Sequence, residues 1–180
     1  PHKNYTVPIW ESMTEADLLI FTSPVYVFHE TAQIKALLDH FGSKWMAHSP
    51  DEKMFSKRAV IITNAAGMGM KNVVKSIGDS LNYWGVAKTF VIKQALFMGI
   101  WEDVSQQTKD KIKRNCEKLA LKLINKNIVK PRLGIKMRYY MLRMGHNMIH
   151  KTLTKQGYPE TKDHIYWKEK GWLDDKKPWN

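Results

Sequence analysis

The sequence has one cysteine, Cys116, in 180 residues, so no internal disulfide can form, and a reducing cytoplasm is the expected setting. Its longest apolar runs, such as Leu18-Leu19-Ile20-Phe21 and Ala59-Val60-Ile61-Ile62, fall far short of the roughly 20 residues of a membrane-spanning helix. Acidic residues are scarce in one stretch. Residues 101–157 carry 14 Lys or Arg against 4 Asp or Glu, which accounts for +10 of the formal net charge of +12. Such a surface suits an acidic protein partner or an anionic membrane, with a solvated helical face as the commoner reading. Nucleic acid is not expected, because the aromatic residues stand mostly apart from the basic ones.

The chain has enough apolar residues, 43% of the total, to build one domain with a real core. Ala16 to Thr22 is a compact apolar run of the kind found in strands buried on both faces, closed by Ser23-Pro24. Ile34, Leu37, Leu38 and Phe41 then recur at i, i+3, i+4 and i+7, a helical stripe that Gly42 ends. The pattern repeats. A strand from Ala59 to Thr63 leads through a small-residue loop into a helix marked by Val74, Ile77, Leu81 and Trp84 and stopped by Gly85, and a third strand covers Thr89 to Leu96. A lysine-rich helix is expected from about Asp103 to Asn125, with Cys116 packed on its apolar stripe. After Pro131 a second helix runs from about Arg132 to Leu153, with Met137, Met141, Met144 and Met148 on one side as packing residues. The tail from Gly157 is polar, tryptophan-bearing and without clear period. Alternating strands and helices imply an α/β three-layer sandwich on a parallel sheet.

In such sheets ligands bind outside the carboxyl ends of the strands, where loops converge and helix N-termini point inward. Two loops qualify. Ser23, Pro24, Val25, Tyr26 and Val27, followed by Phe28, offer aromatic surface and backbone amides; Asn64, Ala65, Ala66, Gly67, Met68 and Gly69 have side chains small enough for the main chain to approach a flat ring. Neither loop carries a strong acid, a metal cluster or a nucleophile–base pair, so no catalytic side chain is assigned. A cofactor that brings its own reactivity suits such a site, and an ordinary βα connection is the other reading of each loop. His146 and His150 are spaced i, i+4, but two histidines alone do not make a metal site, and none is assigned.

Glu15-Ala16-Asp17, Ser23-Pro24-Val25-Tyr26, Lys35-Ala36-Leu37-Leu38-Asp39, Ile61-Ile62-Thr63, Trp84-Gly85-Val86 and the tail Tyr166-Trp167-Lys168-Glu169-Lys170-Gly171-Trp172-Leu173 together resemble the flavodoxin-like NAD(P)H-dependent FMN oxidoreductases, the group that includes NADPH-dependent FMN reductases and iron–sulfur flavoproteins. The resemblance covers residues 9–100 and 163–173. It implies bound FMN, NAD(P)H as co-substrate and a small-molecule electron acceptor such as a quinone, free flavin or nitro-compound, or else a carrier protein. It also implies a homodimer. By the same resemblance, Ser23 to Val27 wrap the isoalloxazine edge with Tyr26 against the ring, and Asn64 to Gly69 touch its other end. Two alternatives stand beside this one: a non-enzymatic flavodoxin-type electron carrier, and a basic membrane- or nucleic-acid-binding module without flavin.

The chain departs from the family at Asn64-Ala65-Ala66-Gly67, where Thr-x-Gly-Gly is commoner, and at its start. The strand, Ser/Gly-rich loop and helix that hold the FMN phosphate in that family are not seen ahead of Pro1-His2-Lys3, so either an N-terminal truncation or a first segment lying outside this sequence is expected. The expected organisation is an incomplete flavodoxin-like FMN-binding domain over 1–126 and a basic, Met-rich helix with an aromatic tail over 127–180, packing on that domain or on a partner subunit.

Overall fold

A computed structural model describes residues 2–124 and 129–179. The domain boundary expected at 126/127 and the helix end expected at Asn125 lie outside the described residues. Three strands, β1 (Leu18–Pro24), β2 (Arg58–Ala65) and β3 (Lys88–Ala95), form one parallel sheet in the order β1-β2-β3. Register is continuous across it: Phe21 lies beside Ile61, and Ile61 beside Val91. Helices α1 (Lys3–Glu15), α2 (Ala32–His40) and α3 (Met70–Trp84) cover one face, and α4 (Gln106–Ile124) lies against β3 on the other. This is the α/β, flavodoxin-like three-layer sandwich, followed by α5 (Leu133–Lys155) and α6 (Lys162–Glu169).

Helix α3 is the keystone of the covered face. Val73, Ile77, Leu81 and Trp84 recur at helical spacing and all are fully buried, packed against Leu19, Phe21, Ala59 and Ile61 of the sheet. Trp84 meets the rings of Trp10, Phe21 and Phe41, and its indole N–H donates to the Phe41 carbonyl at 3.0 Å, so the largest core side chain leaves no polar atom unpaired. Gly85 ends the helix at φ 92°, where an added Cβ would lie 2.7 Å from the Phe55 ring; only glycine fits.

Several expectations are corrected. β1 is buried on one face only, because among the described residues no helix covers the other: Leu19, Phe21 and Ser23 point into the core, whereas Ile20 is 59% exposed. An apolar run fixes neither how many faces of a strand are covered nor where it sits in the sheet, and β1 is an edge strand, as β3 is. Cys116 is exposed rather than packed, on a helix that has no fully buried residue. The methionine stripe of α5 is also outside, with Met137, Met141, Met144 and Met148 all exposed, while Ile135 and Tyr139 on another side are fully buried. Helix α1 and helix α6 have no counterpart in the sequence reading. Pro8 lies inside α1 and breaks its hydrogen-bonding pattern, and α6 is one short polar segment with two buried residues, His164 and Trp167.

The C-terminal segment folds back. Ile135, Tyr139, Trp167 and Trp172 form a second core with Met46 and Phe55, the last of which precedes β2. The Tyr139 hydroxyl donates to the carbonyls of Trp172 at 3.0 Å and Lys176 at 3.2 Å, and the Trp167 indole N–H donates to the His48 carbonyl at 3.0 Å. Burial pushes the Tyr139 and Tyr166 hydroxyls up to about 12.

Candidate functional site

Because β1, β2 and β3 are parallel neighbours, the segments following Pro24, Ala65 and Ala95 leave the sheet at the same end. The first two are locked together. The Val25 amide donates to the Asn64 carbonyl at 3.0 Å, so pairing continues one step past the end of β1. Gly69, the N-cap of α3 at φ 92°, lies so close to the first loop that an added Cβ would meet Val25 Cγ1 at 2.5 Å and Phe28 Cα at 3.0 Å. Glycine is required there by conformation and by space.

The first loop is a tight reversal. Tyr26 and His29 exchange both backbone hydrogen bonds, at 2.8 and 2.9 Å, across a two-residue turn whose central residues, Val27 and Phe28, have φ of 47° and 66°. Turns of this form normally hold Asn-Gly, because left-handed backbone costs an ordinary residue about 1–2 kcal/mol and a β-branched one more. The neighbourhood sustains the strain. Ser23, almost wholly buried, accepts from the Thr31 amide at 3.1 Å and donates to the Pro24 carbonyl, and Glu30, also buried, accepts from the Ser76 hydroxyl of α3 at 2.6 Å. The outcome is a rigid prow that presents Tyr26 (64% exposed), Val27 (91%) and Phe28 (54%) to solvent.

The sequence-designated residues therefore divide by role. Ser23 and Val25 spend their polar groups holding the loop, and the amides of Val25 and Tyr26 are engaged rather than free. Pro24, Tyr26, Val27, Asn64, Ala66, Gly67 and Met68 are exposed, while Ala65 and Gly69 are partly covered. An added Cβ at Gly67 would meet nothing within 4 Å, and the amides of Ala66, Gly67 and Met68 make no hydrogen bond to described residues. The sequence reading missed the buried Glu30, whose Oε2 finds no hydrogen-bond partner, and a third loop bearing Phe97, Met98, Ile100 and Trp101, all exposed. Four large apolar residues between a strand and a lysine-rich helix are a signal the sequence already carries.

Lys57, below β2, is held under the ordinary lysine value by burial while its ammonium donates to the Ala16 carbonyl. This closes the opposite end of the sheet and has no connection with the ligand end.

This arrangement suits the ring half of a flavin: aromatic and apolar surface on one loop, unengaged amides and small residues on the other, the N-terminus of α3 between them, and no proton-transfer pair. The profile of the family described as NADPH-dependent FMN reductase matches residues 2–103. No curated protein sequence matches the chain. Among solved structures, an NADH:FMN oxidoreductase in its apo form is similar at 19% identity over 72% of this chain and 65% of its own, with a TM-score of 0.48. A flavone reductase is similar at 13% identity over 72% of this chain and 50% of its own, with a TM-score of 0.50. The general stress protein 14 of Treponema denticola, in complex with FMN, is similar at 13% identity over 66% of this chain and 71% of its own, with a TM-score of 0.44. The chain thus spans 65% of the first of these proteins and half of the second. With more than half of its residues matched to the family profile, the chain belongs to the NADPH-dependent FMN reductase family.

Proposed function

We propose that the protein is an FMN-dependent NAD(P)H oxidoreductase that passes reducing equivalents to a small-molecule acceptor such as a quinone, free flavin or nitro-compound. The observation that carries this reading is the interlocked pair of loops, Ser23–Phe28 and Asn64–Gly69, joined through Val25, Asn64 and Gly69 and bare of acid–base side chains. Bound FMN would supply the hydride-accepting and electron-donating chemistry, and Ser23–Phe28 and Asn64–Gly69 would supply binding and polarity rather than a nucleophile. Tyr26 and Phe28 offer an apolar wall for the ring system. The amides of Ala66, Gly67 and Met68 and the first turn of α3 offer donors that favour negative charge on its polar edge. Because the turn at Val27 and Phe28 is fixed before binding, little loop ordering is lost when the cofactor docks.

The partners follow from the same surfaces. Helix α5 has five Lys or Arg and no Asp or Glu over 23 residues, with Leu133, Met137, Met141 and Met144 exposed, which supports docking to an acidic carrier protein or an anionic membrane. Among the described residues no helix is long and apolar enough to cross a membrane. An exposed, unpaired Cys116 suits the reducing cytoplasm. Homodimerisation belongs to the same proposal.

The test is spectroscopic. Purified protein titrated with FMN should quench its fluorescence saturably, and the complex should bleach on mixing with NADPH or NADH. Failure to bind FMN sinks the proposal. Binding without bleaching by either nucleotide, with reduction by a carrier protein that weakens as salt rises, would replace it with the electron-carrier reading.

A further inference from the structure

The second core ends in a cluster of histidines that the flavin reading does not use. His150 on α5 and His164 on α6 stack with ring centroids 4.0 Å apart and planes 16° apart, and Glu160 Oε1 lies 2.5 Å from His164 Nδ1. One donor atom from each of His150, Glu160 and His164 can be chosen so that all three lie within 4.8 Å of one another. His164 is 5% exposed, and its Nε2 and the Nδ1 of His150 are both buried without a hydrogen-bond partner. Buried ring nitrogens normally find a partner, so two orphans in stacked rings beside a carboxylate call for an explanation.

We propose that His150, Glu160 and His164 bind a single divalent cation of the zinc class. Two imidazole nitrogens and one carboxylate oxygen form the donor set of a three-ligand zinc site, with the fourth position left to water; all-oxygen cations such as calcium and magnesium are poorly served by it. The carboxylate oxygen already faces a cation, since Lys168 Nζ lies 3.7 Å from Glu160 Oε1. Bonds of about 2.0–2.1 Å in a tetrahedral site space the ligands by roughly 3.3 Å, so the widest donor pair closes by about 1.5 Å at most and the Glu160–His164 contact opens. Two parallel imidazoles cannot both hold one ion in their ring planes, so one ring must rotate. His150, the less buried of the two, is the ring that would turn, with His164 staying in place. The ion would staple α5 to α6 and the residues just ahead of it, closing the end of the aromatic core that already contains Trp167, whose ring packs on His146 at 4.6 Å. The sequence hides this site, since His146 and His150 share a helical spacing whereas the proposed partners of His150 are Glu160 and His164.

The test uses the full chain stripped of metal by a chelator. Zinc titrated calorimetrically should bind at one equivalent and raise the melting temperature, and cobalt should give the intense visible bands of a four-coordinate site. His150→Gln and Glu160→Gln should each weaken zinc binding about tenfold or more and abolish the rise in melting temperature. His40→Gln, which removes a histidine of the α2 terminus, should change neither. Non-saturable binding, or zinc affinity that survives both ligand substitutions, would overturn the site. Should the substituted chains fail to fold, the cobalt spectrum of the unaltered protein still decides: weak six-coordinate absorption refutes the proposal.

Discussion

Replacing Gly69 by alanine tests whether the two loops act as one unit. The residue sits at φ 92°, so a side chain there incurs about 1–2 kcal/mol of left-handed strain, offset by about 0.4–1 kcal/mol from a less flexible unfolded chain. The new Cβ would also press on Val25 Cγ1 at 2.5 Å and on the Phe28 backbone at 3.0 and 3.3 Å. A flexible side chain end can yield, but the Phe28 backbone is held by the reversal between Tyr26 and His29, so overpacking adds about 1–3 kcal/mol. We expect a net loss of about 1–4.5 kcal/mol, read as a lower urea midpoint with unchanged slope, or as a fall of several degrees in melting temperature. FMN affinity should fall as well, because relief of the clash displaces the Tyr26 prow. Gly67→Ala is the internal control: its Cβ would meet nothing within 4 Å, so stability should change by less than about 0.5 kcal/mol. Val25→Ala removes the nearest obstructing atom, so its effect should be non-additive with Gly69→Ala, recovering part of the loss in a double-mutant cycle. If Gly69→Ala is as mild as Gly67→Ala, or shows no coupling to Val25→Ala, the interlocked-loop account is wrong.

Val27→Gly should stabilise the apo protein by about 1 kcal/mol by relieving the strained φ of 47°, yet weaken FMN binding through loss of an exposed apolar contact; opposite signs in a melting curve and a flavin titration are the signature. Phe55→Ala empties a fully buried site whose ring meets Tyr139, Trp172 and Trp179, and should cost about 3–5 kcal/mol and speed proteolysis of the C-terminal tail in a limited digest. The Tyr139 hydroxyl, raised by burial to about 12, is neutral in both folded and unfolded chains below pH 10. Its contribution is therefore intact below pH 10 and is lost as pH rises toward 12, by about 2–3 kcal/mol, because the unfolded chain ionises first. Urea midpoints from pH 9 to 12 should fall less steeply in Tyr139→Phe than in the unaltered protein.

Local periodicity made most of the fold legible. Apolar strands alternating with stripes at Ile34–Phe41 and Val74–Trp84 required a parallel sheet, and Gly42 and Gly85 marked the helix ends, because these patterns arise from the chain's own geometry and from the one-sided burial of helices. The two loops were legible for the same reason, since βα connections must emerge at the carboxyl ends of parallel strands. What depends on neighbours was not. Ile20 and Phe21 are equally apolar, and only the placement of α1, α2 and α3 on one face buries Phe21 and leaves Ile20 exposed. Val27 and Phe28 have types that disfavour left-handed backbone; the constraints from Ser23, Asn64, Glu30 and Gly69 impose it. Residue types along the chain thus determined the family, the sheet and the position of the two loops at its carboxyl end. Tertiary structure alone decided that the Tyr26 loop is a strained, pre-set prow, and that His150 meets Glu160 and His164, because both results come from contacts between segments that no local pattern specifies.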